Sequence, residues 1–181
     1  MAQYKAFATG VEVNGETVLS VVDGMGVFKS KAYQILERNG IVNPQPGQWY
    51  PQQAWLNAFK QIAEEVGENT LYQIGMSIPK NAKFPEGIDT LGKALVSIDQ
   101  AYHMNHQGGE IGHYTMERID NHTAKMICNN PYPCDFDRGI IMSFTNIFKP
   151  LNSDKMAKVR HDDSAPCRKK GGNSCTYIIS W

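Results

Sequence analysis

Apolar residues in the first hundred positions recur mostly at steps of three and four. Trp55, Phe59, Ile62 and Val66 share one helical face, so 51–66 reads as an amphipathic helix opened by Pro51. Leu71, Ile74 and Ile78 predict a second helix over 68–78, followed by a loop from Pro79 to Pro85. Ile88, Leu91, Leu95, Ile98 and Tyr102 predict a third over 86–101. A shorter helix over 29–38 follows the break at Gly24 and Gly26 and stops at Asn39-Gly40. Ahead of it, VEVNGETV (11–18) places Asn14-Gly15 between β-rich flanks, the preferred pair for a tight hairpin, and predicts strands over 4–13 and 16–22.

The C-terminal half changes period. GHYTMERID (112–120) and TAKMICN (123–129) read as antiparallel strands joined at Asp120-Asn121, with NNPYP as the next turn. Phe136, Ile140, Phe144 and Ile147 mark a helix over 135–148, ended by Pro150. Residues 157–162 and 174–181 read as two more strands around Gly171-Gly172. The layout is α+β: a helical N-terminal half, then β-β-α-β-β with a four-stranded antiparallel sheet, plus the N-terminal β-hairpin. One domain is expected over 1–181, with the hairpin in 1–22, the helical part in 29–101 and the α/β part in 111–181.

Charge narrows the function classes. Lys and Arg number 18 against 18 Asp and Glu, so no net charge attracts nucleic acid or an anionic membrane surface. No apolar run approaches the roughly 20 residues of a membrane span. The N-terminus MAQYKAFATG lacks a basic segment leading into an apolar one, so the cytoplasm is the expected compartment. There, Cys128, Cys134, Cys167 and Cys175 are expected as thiols or metal ligands rather than disulfides. No G-x-S-x-G, phosphate loop, dinucleotide fingerprint or H-E-x-x-H occurs, which argues against the common hydrolases and nucleotide enzymes. Asp135 and Asp137 fit a cap and dipole role at a helix start, and Arg168-Lys169-Lys170 a solvated basic loop.

Pro133-Cys134-Asp135, Gly139, Ala165-Pro166-Cys167-Arg168, Gly171-Gly172 and Ser174-Cys175-Thr176-Tyr177 together resemble the signature of the 4-vinyl-reductase domain family. The resemblance covers 110–181. It implies a helical half followed by β-β-α-β-β, a fold shared with vesicle-tethering subunits and distantly grouped with haem nitric-oxide-binding proteins. It also implies a structural zinc on three Cys and one acidic residue, with Cys134, Cys167 and Cys175 in the Cys positions. The acidic position, three residues before the second Cys, is Ser164 here; Asp163 is its neighbour, and Cys128 and His161 are other donors in reach of the pattern. Relatives commonly form homodimers, so the resemblance implies a homodimer.

His103, His106 and His113 cluster in AYHMNHQGGEIGHY. They are candidate haem ligands, since haem needs one axial His, or else part of a polar turn at a helix end. By resemblance, Trp49, Trp55, Phe59, Tyr72 and Tyr102 are candidate lining for a hydrophobic or aromatic ligand. The resemblance, with the absence of catalytic motifs, therefore implies a non-catalytic small-molecule sensor that signals to a partner protein by contact. Its alternatives are a tetrapyrrole-binding gas sensor or pigment-synthesis accessory protein, and a metal-dependent enzyme.

Overall fold

Asn14 does not turn a hairpin; it starts a helix. The computed structural model describes residues 3–150 and 156–181. A short strand β1 (Glu12–Asn14) runs directly into helix α1 (Gly15–Gly24), and the Asn14 side chain accepts the Thr17 N–H at 2.9 Å as the N-cap. Gly15 is not a positive-φ residue. It is needed because a Cβ there would lie 1.9 Å from the Gln45 carbonyl oxygen. The expected strands over 4–13 and 16–22 are thus replaced by a three-residue strand and a helix.

Helix α2 (Lys29–Arg38) ends where the sequence places it, with the Asn39 side-chain amide donating to the Ile35 carbonyl at 2.8 Å. Strand β2 (Trp49–Pro51) leads into α3 (Gln52–Glu65), and α4 (Glu68–Asn81) follows. α4 extends through Pro79 into the expected loop, because a proline so near the end removes one intrahelical bond and Ala82 N–H still reaches the Ile78 carbonyl at 2.9 Å. α5 (Leu91–Met104) starts later than 86 because Thr90 caps it through its hydroxyl, and it ends later, so His103 is helical. β3 (His106–Gln107) joins a small antiparallel sheet of order β2-β1-β3.

The second sheet is formed by β4 (His113–Arg118), β5 (Thr123–Asn129), β6 (Lys158–His161) and β7 (Cys175–Ser180), in the antiparallel order β4-β5-β7-β6. Helix α6 (Cys134–Phe148) lies between β5 and β6 in sequence, giving the expected β-β-α-β-β order. Alternation buries Ala124, Met126 and Cys128 of β5 beside Cys175, Tyr177 and Ile179 of β7. α6 lies against α4 through glycines: a Cβ on Gly75 would sit 2.2 Å from the Phe136 carbonyl oxygen, and one on Gly139 would sit 2.2 Å from that of Tyr72. This backbone-level approach seats α6 deep in the molecule. Trp55, Phe59, Tyr132 and Phe136 are almost wholly buried and touch one another, with ring centroids 4.7–6.0 Å apart. Burial of each ring contributes about 2 kcal/mol or more.

Candidate functional site

Beside this aromatic cluster lies a cavity of about 40 Å³, walled by residues of α1, α3, α4, α5, β4 and α6. It has room for a few water-sized groups, since one water needs about 10–15 Å³. The walls are mostly apolar, including Ile78, Phe84, Ile98 and Ile140. Trp55 comes from α3, and α5 contributes Tyr102 and, just beyond its end, Asn105 and His106. Asn105 is committed to structure: its side chain bonds Asn14, Thr17, and the backbone of Lys83 and Ala101.

His106 is buried, its Nδ1 lying 2.8 Å from the Tyr102 carbonyl and its Nε2 2.5 Å from the Tyr132 hydroxyl. Burial pushes its pKa down to about 4, so the ring is neutral near pH 7. The consistent assignment has Nδ1–H donating to Tyr102 and the Tyr132 hydroxyl donating to Nε2. The Gln52 amide in turn donates to the Tyr132 oxygen at 3.0 Å. Burial holds the phenols of Tyr102, Tyr114 and Tyr132 well above their usual range, so they remain hydrogen-bond donors. Among the described residues, two polar atoms of this region are buried with no hydrogen-bond partner: the Trp55 indole Nε1 and the Gln52 Oε1. A buried donor without an acceptor costs about 1–3 kcal/mol, and a ligand acceptor would remove that cost.

A second centre forms where α6 begins. Cys134 Sγ lies 3.1 Å from Cys175 Sγ and 3.7 Å from Cys167 Sγ, and Cys167 and Cys175 are 4.0 Å apart. All are free thiols. His161 completes a group whose ligand atoms lie within 4.8 Å of one another, and its Nε2 is buried without a hydrogen-bond partner. The hydrogen bond from Cys134 and the Arg168 guanidinium push the Cys175 thiol down, towards thiolate. Three thiols and an imidazole are a tetrahedral zinc set, so these residues fit the metal implied by the family resemblance. Asp163 does not enter the group; it is 90% exposed and its carboxylate lies 3.5 Å from His161 Nδ1. Cys128 faces Cys175 across the β5–β7 ladder but is outside the group.

The two centres are joined by a buried ion pair. Arg168 and Asp137 are 2% and 0% exposed, so Arg168 is not in a solvated loop and Asp137 is not a surface cap. The Arg168 guanidinium binds the Asp137 carboxylate, the Asn130 side chain and, at 2.6 Å, the Asn130 carbonyl. Asp137 also accepts the Tyr114 hydroxyl at 2.6 Å, and Tyr114 lines the cavity. Burial pushes the Asp137 carboxyl up, against the pull of Arg168 and Tyr114. The Arg168 backbone N–H donates to Cys175 Sγ at 3.4 Å, which carries the network to the thiols.

The residues singled out in the sequence divide accordingly. Trp55 and Tyr102 line the cavity, and Phe59 packs behind Trp55. Trp49 does not line it; it pairs with Asn14 in the small sheet. Nor does Tyr72, whose ring lies under the Arg138 guanidinium at 4.7 Å. The histidines separate, His106 to the interior and His103 and His113 to the exterior. Tyr132, Gln52 and the Arg168–Asp137 pair had no distinguishing pattern in the sequence. NNPYP marks a turn without showing that its tyrosine points inward.

No family model matches the chain, and no curated protein matches it by sequence. Solved structures do match. An H-NOX protein from S. oneidensis in the Fe(II)NO ligation state aligns over 91% of this chain and 97% of its own, with TM-score 0.66 and 14% identity. An oxygen-binding H-NOX domain related to soluble guanylate cyclases, in its oxygen complex, aligns over 92% and 91%, with TM-score 0.62 and 16% identity. A structure from work on heme distortion in the H-NOX family aligns over 93% and 94%, with TM-score 0.64 and 15% identity. The chain therefore has the α+β fold of the H-NOX domains.

Proposed function

We propose that this chain is a non-catalytic sensor domain. It holds a small, largely apolar molecule with one hydrogen-bond acceptor in the cavity between Trp55, His106 and Tyr132. The observation that carries this reading is a mostly apolar cavity lined in part by Trp55, whose indole N–H is buried without a hydrogen-bond partner. The ligand would accept from Trp55, and its arrival would be felt by Tyr114 and hence by the Asp137–Arg168 pair. A zinc on Cys134, Cys167, Cys175 and His161 would fix the other end of that network, as the resemblance to the 4-vinyl-reductase family implies. Zinc there is structural: four protein ligands leave it no open position for catalysis.

The likeness to H-NOX domains favours a second reading, a haem-binding gas sensor with His106 as axial ligand. His106 has the right orientation chemistry, since a backbone carbonyl holds Nδ1 and leaves Nε2 as the ligand atom. The remaining residues do not fit haem. The cavity is about 40 Å³, Nε2 is already engaged by Tyr132, and no Lys or Arg among the described residues lines the wall to meet haem carboxylates.

The test is to purify the full chain, record its absorption spectrum with and without added haem, and follow melting temperature and tryptophan fluorescence against the smallest ketones and nitriles. The proposal predicts no haem band, a ligand that raises the melting temperature, and loss of that response in Trp55→Phe. A haem band that disappears in His106→Gln would replace it with the gas-sensor reading. No haem band and no response to any probe would refute both.

A further inference from the structure

Asp99, His103 and His113 lie outside both centres. Asp99 and His103 are one turn apart on the same face of α5. β4 brings His113 against them, because Tyr114 N–H donates to Asp99 Oδ1 at 2.8 Å. That same oxygen lies 3.4 Å from His113 Nδ1 and 3.7 Å from His103 Nδ1. The two imidazole rings face each other with centroids 4.9 Å apart and planes 32° apart. One ligand atom from each of the three residues lies within 4.8 Å of the others. His103 Nδ1 is 2.9 Å from the Asp99 carbonyl oxygen, so a neutral ring donates there and keeps its lone pair on Nε2. Gly112, at φ 83°, holds the backbone ahead of His113, since a Cβ there would lie 1.9 Å from the Asn129 carbonyl oxygen.

We propose that Asp99, His103 and His113 form a second metal site, for a divalent transition ion. Two imidazoles and one carboxylate select zinc, cobalt, nickel or copper over calcium and magnesium, which prefer all-oxygen shells. The side chains are 32%, 43% and 60% exposed, in the order Asp99, His103, His113, so the outer coordination positions face solvent. The site is therefore open, unlike the saturated thiol cluster, and accepts water or a donor from another molecule. An ion here ties the last turn of α5 to the first residue of β4. Between those anchors lies the segment that carries His106, so the metal would restrain the residue at the cavity wall from outside.

The experiment is a cobalt(II) titration of the reduced, metal-stripped full chain. Thiolate ligands give intense near-ultraviolet charge-transfer bands, whereas the His and Asp site gives only weak visible bands. The expected result is one equivalent with thiolate bands and a second without them. In His113→Ala, at an exposed position, the second equivalent weakens about tenfold or more, while the first and the melting temperature of the metal-stripped chain are unchanged. A His113-dependent equivalent without any thiolate bands would leave this site standing and remove zinc from the cysteine cluster. Identical titrations of His113→Ala and the wild type would overturn the proposal.

Discussion

Replacing Arg168 by Met tests the network that joins the two centres. The methionine keeps much of the stem volume and leaves Asp137, 0% exposed, without its cation. Asp137 would keep the Tyr114 hydroxyl at 2.6 Å and the Asn130 amide at 3.4 Å, too little to compensate a buried carboxylate. Breaking one partner of a buried pair costs about 3–5 kcal/mol. In a chain of this length each kcal/mol moves the melting temperature by about 2–4 °C, so a fall of about 6–20 °C is expected. The backbone N–H of residue 168 still reaches Cys175, but the thiol loses the guanidinium that helps lower its pKa, so the variant also shifts Cys175 back towards the protonated thiol. Urea unfolding of wild type, Arg168→Met, Asp137→Leu and the double variant, each with and without chelator, separates the terms. The double variant should recover most of the loss, since a buried pair exchanged for apolar residues is often neutral. A single-variant cost below about 1 kcal/mol, the range of exposed pairs, would refute the reasoning. So would a double variant as unstable as the sum of the singles.

If zinc occupies the cysteine cluster, a strong chelator should lower the wild-type melting temperature and Cys175→Ser should lower it and remove most of the response to chelator; equal melting curves throughout would leave the thiols as packing residues. The buried His106 gives a pH dependence. Its folded pKa of about 4 lies below the unfolded 6.5, so the unfolded chain takes up the proton first. Its contribution is therefore complete above about pH 6.5 and is lost as pH falls towards 4, amounting to about 3 kcal/mol. His106→Gln should flatten that part of the stability profile, and an unchanged slope between pH 7 and 4 would count against a buried neutral ring.

The periodic parts of the fold were legible because burial imposes the period: Trp55, Phe59 and Ile62 on α3, and Phe136, Ile140 and Phe144 on α6, all face the core. Asn14-Gly15 misled because the same side-chain oxygen that suits a turn also caps a helix. What decides between them is the Gln45 carbonyl 30 residues further on, and no local pattern reports it. The cysteines were visible as a set, but the choice of fourth partner among Asp163, Cys128 and His161 was not: Asp163 and His161 are two apart on the chain, and it is the folded β6–β7 region that brings His161 to the thiols. The Arg168–Asp137 pair joins residues 31 apart that looked like surface charges. Charge by itself says nothing of burial until docking supplies the partner.

The contact of Gly75 with Gly139 has a mechanical consequence. With no side chains between the backbones, α4 and α6 cannot roll over one another there, so the crossing acts as a fulcrum. Ile78 and Ile140, close to it on the two helices, both form part of the cavity wall. A guest that forces those walls apart by a fraction of an ångström acts on a short arm. The long arms are the ends of the helices farthest from the glycines, where the same rotation emerges as a larger displacement at the surface. On the proposed sensor reading, that crossing would act as a lever, turning the filling of a very small cavity into a larger displacement at the helix ends.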